Sequence, residues 1–166
     1  MAASLKFGVL TISDRASRGQ RADASGPAIA ELLASEGWQI VESGLVPDDH
    51  EAIAAALKEW ADSTRMDVIL TTGGTGFGRR DITPEATVAV IELTAPGIAE
   101  AMRAASLKIT PHAMLSRAAA GIRGTTLIIN LPGSPKAALE NLRVVMPILP
   151  HAVALLRDDP AAEAGH

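Results

Sequence analysis

The chain is 166 residues long, 48% hydrophobic, with 15 basic against 19 acidic residues and a formal charge of −4. That length fits one domain with a sizeable core, and an acidic chain whose only aromatic residues are Phe7, Trp38, Trp60 and Phe77 lacks the basic, ring-lined surface of a nucleic-acid binder. The absence of cysteine excludes disulfides, thiolate metal sites and cysteine nucleophiles together.

The start MAASLKFGVLTISD has one lysine and a short apolar run, unlike a signal peptide, and no run reaches membrane-spanning length. The expectation is a cytoplasmic protein with no membrane partner. Leu5 to Ile12 reads as a buried first strand ending at Ser13 and Asp14. A polar loop to Ala24 follows, and its Arg18 and Arg21 read as solvated. Ser25 is placed to cap a helix that buries Ile29, Leu32 and Leu33 and stops at Gly37. Trp38 to Val46 is a second, weakly patterned strand.

Pro47, Asp48 and Asp49 precede a helix with Ile53, Ala56, Leu57 and Trp60 at helical spacing. Either aspartate can cap it, but both cannot, so one carboxylate is spare at a strand's carboxyl end. Asp67 to Thr72 is the third strand. It runs into TTGGTGFGRRDITPEAT, where Gly73, Gly74, Gly76 and Gly78 crowd into one loop. Glycine permits positive φ and lets backbone N–H groups approach phosphate oxygens with no Cβ in the way. The loop is not a Walker loop, because Arg79 and Arg80 stand where lysine and a hydroxyl residue would be. It is not a dinucleotide fingerprint either, because the third glycine falls on Arg79. Thr83 and Pro84 then offer an N-cap and a first helical residue, and the helix is expected to run through Val88, Ile91 and Leu93 to Pro96 and Gly97.

A further helix buries Ile98, Met102 and Ala105, and residues 108–117 read as irregular, with His112 an incidental histidine lacking a carboxylate partner. Ala118 to Ile122 and Thr126 to Leu131 flank a turn and predict a short hairpin. Its second strand ends at Asn130, Leu131, Pro132, Gly133 and Ser134, where Ser134 caps a helix, Pro135 fills the first position and Lys136 sits where a cation implies a nearby anion. Leu139, Leu142, Val145 and Met146 form that helix's inner stripe, and Val153 to Leu156 complete the last one. Residues 158–166 read as a flexible tail after a single domain over 1–157.

Strand and helix alternate three times before the hairpin, which predicts a three-layer α/β/α sandwich with a mainly parallel sheet and a short antiparallel edge hairpin. Right-handed crossovers put every parallel strand's carboxyl end on one edge. Ser13, Asp14, the Asp48 loop, the glycine loop and the Pro132 turn are therefore expected to share one rim.

TTGGTGFGRRDITPEAT and INLPGSPKA, preceded by TISDRAS and LVPDD, together resemble the molybdopterin adenylyltransferases of molybdenum cofactor synthesis. SLKITPHAMLSRAAAGIRG matches the stretch between the two loops, and the likeness extends from residue 6 to about 156. The resemblance implies a compact homotrimer that binds molybdopterin and Mg2+ with ATP as co-substrate. It joins AMP to the pterin's terminal phosphate, releases pyrophosphate and hands its product to a molybdate insertase. Its two acidic positions carry over to Asp48 and Asp81, as catalytic and metal-holding groups. Ligand-binding roles carry over to Gly73, Gly74, Thr75, Gly76, Ser106, Ser116, Asn130, Pro132, Gly133 and Ser134. An anionic nucleophile needs no strong base, which suits a site with no histidine or cysteine in evidence. Among competing readings, a non-catalytic pterin-binding or scaffold paralogue would lack an acidic position, and both are present. Nucleotide-cleaving enzymes and molybdate insertases that share the glycine motif are longer chains. An interaction protein would melt unchanged with ATP and magnesium.

Overall fold

A computed structural model describes residues 4–164. The sheet is built on three strands without an exposed apolar position: β1 (Lys6–Ile12), β3 (Val68–Thr72) and β6 (Thr126–Leu131). Alternation along each strand divides one apolar run between two faces. Phe7, Val9, Val68, Leu70, Leu127 and Ile129 enter one core, and Leu10, Ile12, Ile69 and Ile128 enter the other. With β2 (Gln39–Val46), β4 (Leu93–Thr94) and β5 (Ala120–Arg123), the order is β2-β1-β3-β6-β5-β4. The first four of these neighbours run parallel, and β5 and β4 continue the sheet antiparallel. The expected sandwich and edge hairpin both form. β2 is a half-exposed edge, which is why its pattern was weak.

One face carries α2 (Ser25–Ser35), α5 (Pro96–Leu107), α6 (Pro135–Val145) and α7 (Leu149–Leu156), which bury Ile29, Leu33, Met102, Leu142, Leu149 and Val153. The other carries α3 (His50–Asp62) and α4 (Thr83–Val90), with Ile53, Leu57, Trp60 and Val90 inward. Trp38 lies before its expected strand and stacks on Phe7 at 5.3 Å between ring centres.

Several local expectations are corrected. Thr83 and Ser25 do not cap their helices. The Thr83 hydroxyl donates to Gly73 O at 2.9 Å and the Ser25 hydroxyl to Gly133 O at 2.5 Å, so both tie a helix to a distant loop. The cap of α2 comes from Asp23, whose carboxylate accepts the Gly26 N–H at 3.0 Å. α4 stops at Val90, because Leu93 and Thr94 pair with Ile122 and Gly121 as the edge strand β4. Residues 108–117 contain a 3₁₀ turn, Pro111–Leu115. In the segment read as a tail, α8 (Pro160–Glu163) follows α7, Asp159 caps it and Ala162 is buried. Residues 165 and 166 lie outside the described residues.

The run Pro135–Leu156 is, against expectation, long and apolar enough by length and composition to cross a membrane, with mean hydropathy 1.3. Its apolar content has a local cause: Ala138, Leu142, Val145, Leu149 and Val153 form the stripe packed on the sheet.

Candidate active site

The chain leaves β1 for its neighbour β2 on one side and later returns to pair β3 on the other, so the sheet has a switch point beside β1. There the loops after β1, β2, β3 and β6 meet. They enclose a cavity of about 310 Å³ lined by Ser13, Asp48, Gly73, Gly74, Asp81, Gly133 and Ser134, among others. The loops after β3 and β6 are far apart in the chain, yet they are fastened together. The Thr72 hydroxyl donates to Pro132 O at 2.7 Å, Gly73 N–H donates to Leu131 O at 3.2 Å, and a Cβ on Gly133 would stand 3.3 Å from the Gly73 Cα.

Gly73 and Gly74 have φ of +106° and +67°. A side chain on Gly73 would come closer than 3.0 Å to the Ile12 carbonyl oxygen, and one on Gly74 equally close to the Thr83 hydroxyl. These two glycines let the loop turn under the end of β1. Gly76 and Gly78 serve a different end. A Cβ on either would lie 3.0 or 2.9 Å from the Asp81 carboxylate, which accepts the Gly78 N–H at 2.8 Å. The second half of the glycine run therefore seats a carboxylate.

Asp49 caps α3, accepting the Ala52 N–H at 2.9 Å, and so Asp48 is the spare carboxylate. Asp48 and Asp14 exchange bonds: Asp14 N–H donates to Asp48 Oδ2 at 2.9 Å and Asp48 N–H donates to Asp14 Oδ1 at 3.1 Å. Arg80 completes the group, with Nε 2.9 Å from Asp14 Oδ2 and Nη2 3.2 Å from Oδ1. The Arg80 hydrogen bonds hold the Asp14 carboxyl below the usual aspartate range. Burial, together with the charges of Asp14 and Asp81, pushes Asp48 above it. Ser13 caps the short helix α1 (Asp14–Ser17) by accepting the Ala16 N–H at 3.1 Å, and Ser134 caps α6 by accepting the Ala137 N–H at 3.2 Å.

The glycine loop and the Pro132 turn form a ridge that also borders a second cavity, about 270 Å³, lined by Gly76, Pro132, Ser106, Ser116, Ile109 and Leu115, among others. Ser106 accepts the Asn141 amide at 2.7 Å. Thus Ser106, Ser116, Gly76 and Pro132 gather here, and not with Asp48 and Asp81. Thr75 is buried and lines neither cavity, although Gly74 lines the first and Gly76 the second, and its carbonyl accepts the Arg117 N–H at 2.8 Å. Asn130 reaches neither cavity. Fully buried, its amide accepts from Ala119 N–H at 3.1 Å and donates to the Thr71 and Thr87 hydroxyls at 3.0 and 2.9 Å, which makes it a fastener of β6 to β3 and α4. Lys136 points to solvent, 83% exposed, with Glu140 4.0 Å away, so its early position in the helix signals no anion in this structure.

Arg21, read from sequence as solvated, lines the first cavity, and His112, read as incidental, lines the second; sequence reasoning passed over Asp23 and Thr11 in the first and Arg103 and Asn141 in the second. Two signals existed: an aspartate three residues before a helical glycine, and a polar Asn141 on the apolar stripe of α6. Among the described residues no group of three or more His, Cys, Asp or Glu could by itself hold a metal ion.

A three-layer α/β/α domain whose switch-point crevice sets two carboxylates beside a positive-φ glycine loop and a helix N-terminus belongs to the class that handles phosphate-bearing ligands. Residues 8–151 match the family described as "Probable molybdopterin binding domain", and the chain belongs to that family. It is 46% identical over 155 residues to the molybdopterin adenylyltransferase of Helicobacter pylori strain J99, covering 92% of this chain and 88% of that one. It is also 47% identical over 163 residues to gephyrin of Dictyostelium discoideum, covering 92% of this chain and spanning only 23% of gephyrin's length. Among solved structures, the molybdopterin biosynthesis enzyme MoaB from Thermus thermophilus superposes with a TM-score of 0.88 at 49% identity, covering 94% of this chain and 98% of the other.

Proposed function

We propose that this chain works in molybdenum cofactor biosynthesis as a nucleotidyltransferase, adenylylating the terminal phosphate of molybdopterin with ATP. Relatives that carry that activity in their names, at 44 to 46% identity over most of the chain, support the reading. The observation that carries it is the meeting of Asp48 and Asp81 in one cavity with Gly73, Gly74 and the amino end of α6. A phosphate oxygen of the pterin attacks the α-phosphorus of ATP, the new P–O bond forms, the α–β bridging bond breaks and pyrophosphate leaves. The nucleophile is already anionic, so the chain's task is to hold two anionic groups in line and offset their repulsion.

The first cavity suits the triphosphate, with backbone groups of the glycine loop and the helix dipole of α6 facing it. The second suits the pterin, offering apolar walls from Ile109 and Leu115 and hydrogen-bonding edges from Ser106, Asn141 and Arg103. Burial and the charges of Asp14 and Asp81 raise the proton affinity of Asp48, so the pocket gains from a cation, and magnesium keeps several waters and takes only one or two protein carboxylates. The residues therefore fit Mg2+, with Asp48 and Asp81 as its holders. When bound, it supplies charge neutralisation at the phosphates. Assembly with further copies of the chain is supported by large apolar side chains left at the surface, including Val88, Leu93 and Met114, and the homotrimer is what the family resemblance implies. Hand-over to a molybdate insertase is supported by the occurrence of a homologous segment inside the much longer gephyrin chain.

The test is to incubate purified protein with molybdopterin, α-labelled ATP and magnesium and to look for labelled adenylyl-pterin. Asp81→Asn is expected to leave the fold intact and lower turnover by about 10² or more, the loss typical of a key electrostatic group. Absence of labelled product from the unaltered protein would end the proposal.

A further inference from the structure

Arg117 lines neither cavity, yet it holds the exposed loop that carries Asp81. It follows Ser116, in the wall of the second cavity. Its guanidinium Nε donates to Gly76 O at 2.8 Å, its Nη2 to Asp81 O at 2.8 Å, and its Nη1 pairs with the Glu85 carboxylate on α4. Its own N–H donates to Thr75 O at 2.8 Å. One residue thus grips carbonyls at both ends of the loop 76–81. Between those ends the chain runs over the surface: Phe77, Gly78, Arg79 and Arg80 are all exposed. Among the described residues, the other hydrogen bonds of this stretch are those between Gly78 and Asp81 and the Arg80–Asp14 pair.

We propose that Arg117 is a positioning residue of the reaction: by clamping both ends of the 76–81 loop it fixes where the Asp81 carboxylate stands in the first cavity, and it does so from the position next to Ser116, which lines the second. The inference rests on the function proposed above. Arginine is the residue the task requires. Two carbonyls and a carboxylate lie in different directions, and only a planar fork with five donors reaches all three; a lysine ammonium is one point of charge on a flexible stem. The arrangement also gives the two cavities a common fixture, because Arg117 follows Ser116 of the second cavity and bonds the loop that carries Asp81 of the first.

The test compares Arg117→Lys and Arg117→Ala with the unaltered protein. Arg117→Lys keeps the charge and most of the packing, so it remains informative if the alanine variant folds poorly. Steady-state adenylylation is expected to lose kcat by about 10- to 100-fold, the effect of displacing a reacting group by about 1 Å, while KM for ATP changes by less than about threefold. In the ligand-free protein, amide hydrogen exchange of residues 76–81 is expected to quicken about tenfold or more, with β1, β3 and β6 unchanged. Exchange in the loop that stays at the unaltered rate overturns the proposal, and so does faster exchange with kcat kept within twofold. A fall in activity that only tracks the folded fraction, with loop and sheet exchanging faster alike, means general stability and overturns it too. If the unaltered protein transfers no adenylyl group, the functional reading fails, and the exchange comparison still decides whether Arg117 holds the loop.

Discussion

Replacing Gly73 by alanine tests the geometry of the glycine loop at its tightest point. At φ +106° an L side chain is strained, which costs about 1–3 kcal/mol. The added Cβ would also press on the Ile12 carbonyl oxygen from closer than 3.0 Å; that partner is backbone and cannot swing aside, so an overpacking cost of about 1–3 kcal/mol is added. At roughly 2–4 °C per kcal/mol for a chain of this size, the melting temperature should fall by about 5–20 °C. Gly19 supplies the control, since it has φ +70° but nothing within 4 Å of a new Cβ. Gly19→Ala should therefore lose only the conformational part, about 1–2 kcal/mol or roughly 2–8 °C. Thermal unfolding followed by far-UV circular dichroism, with urea titration for the free energies, measures both. Equal losses in the two variants would refute the claim that the loop is wedged beneath the end of β1.

Asn130→Ala strands the half-buried Ala119 N–H and removes the buried partner of the Thr71 and Thr87 hydroxyls, a cost of about 1–3 kcal/mol, and should lower the melting temperature while KM for both substrates stays unchanged in the folded fraction; a selective rise in KM would return Asn130 to the ligand. Asp48, whose folded carboxyl titrates above the unfolded value, contributes stability that is fully present below the unfolded pKa and lost as pH rises through the folded one. Asp48→Asn should thus melt higher than the unaltered protein at neutral pH, lose that advantage in acid, and be nearly inactive; a pH-independent difference would count against the electrostatic account. Asp14 has the opposite sign, because its folded carboxyl is depressed: its contribution is present above the unfolded pKa and lost as pH falls through the folded one. Carboxyl carbon NMR titration should find Asp14 protonating at lower pH than Asp48, and Arg80→Ala should narrow the gap.

The parts of this molecule legible in its sequence are those set by local pattern. The apolar runs of β1, β3 and β6 announced a buried parallel sheet, and the right-handed crossover rule then brought Asp48, Gly73 and Ser134 to one edge although they are far apart in the chain. What stayed hidden depends on partners that sequence spacing does not reveal. β4 is two residues long and exists only because Leu93 meets Ile122. Thr83 and Ser25 carry the signature of helix caps, but instead of accepting a helix N–H each hydroxyl donates to a carbonyl of a loop brought alongside by the fold. Asn130 stands in a motif that carries the family resemblance and is spent on joining strands. Arg117 is defined by carbonyls distant in the chain, and main-chain oxygens leave no trace in residue identity.

The ridge between the two cavities, made from the glycine loop and the Pro132 turn, has a consequence for what happens after chemistry. If each substrate occupies its own side, their covalent union straddles the crest and is gripped at both ends, so letting go of one half leaves the other still attached. Such a product departs slowly unless another protein draws it off. An activity of this kind is then best placed beside its consumer, and its turnover in isolation should understate its rate when the next step is running.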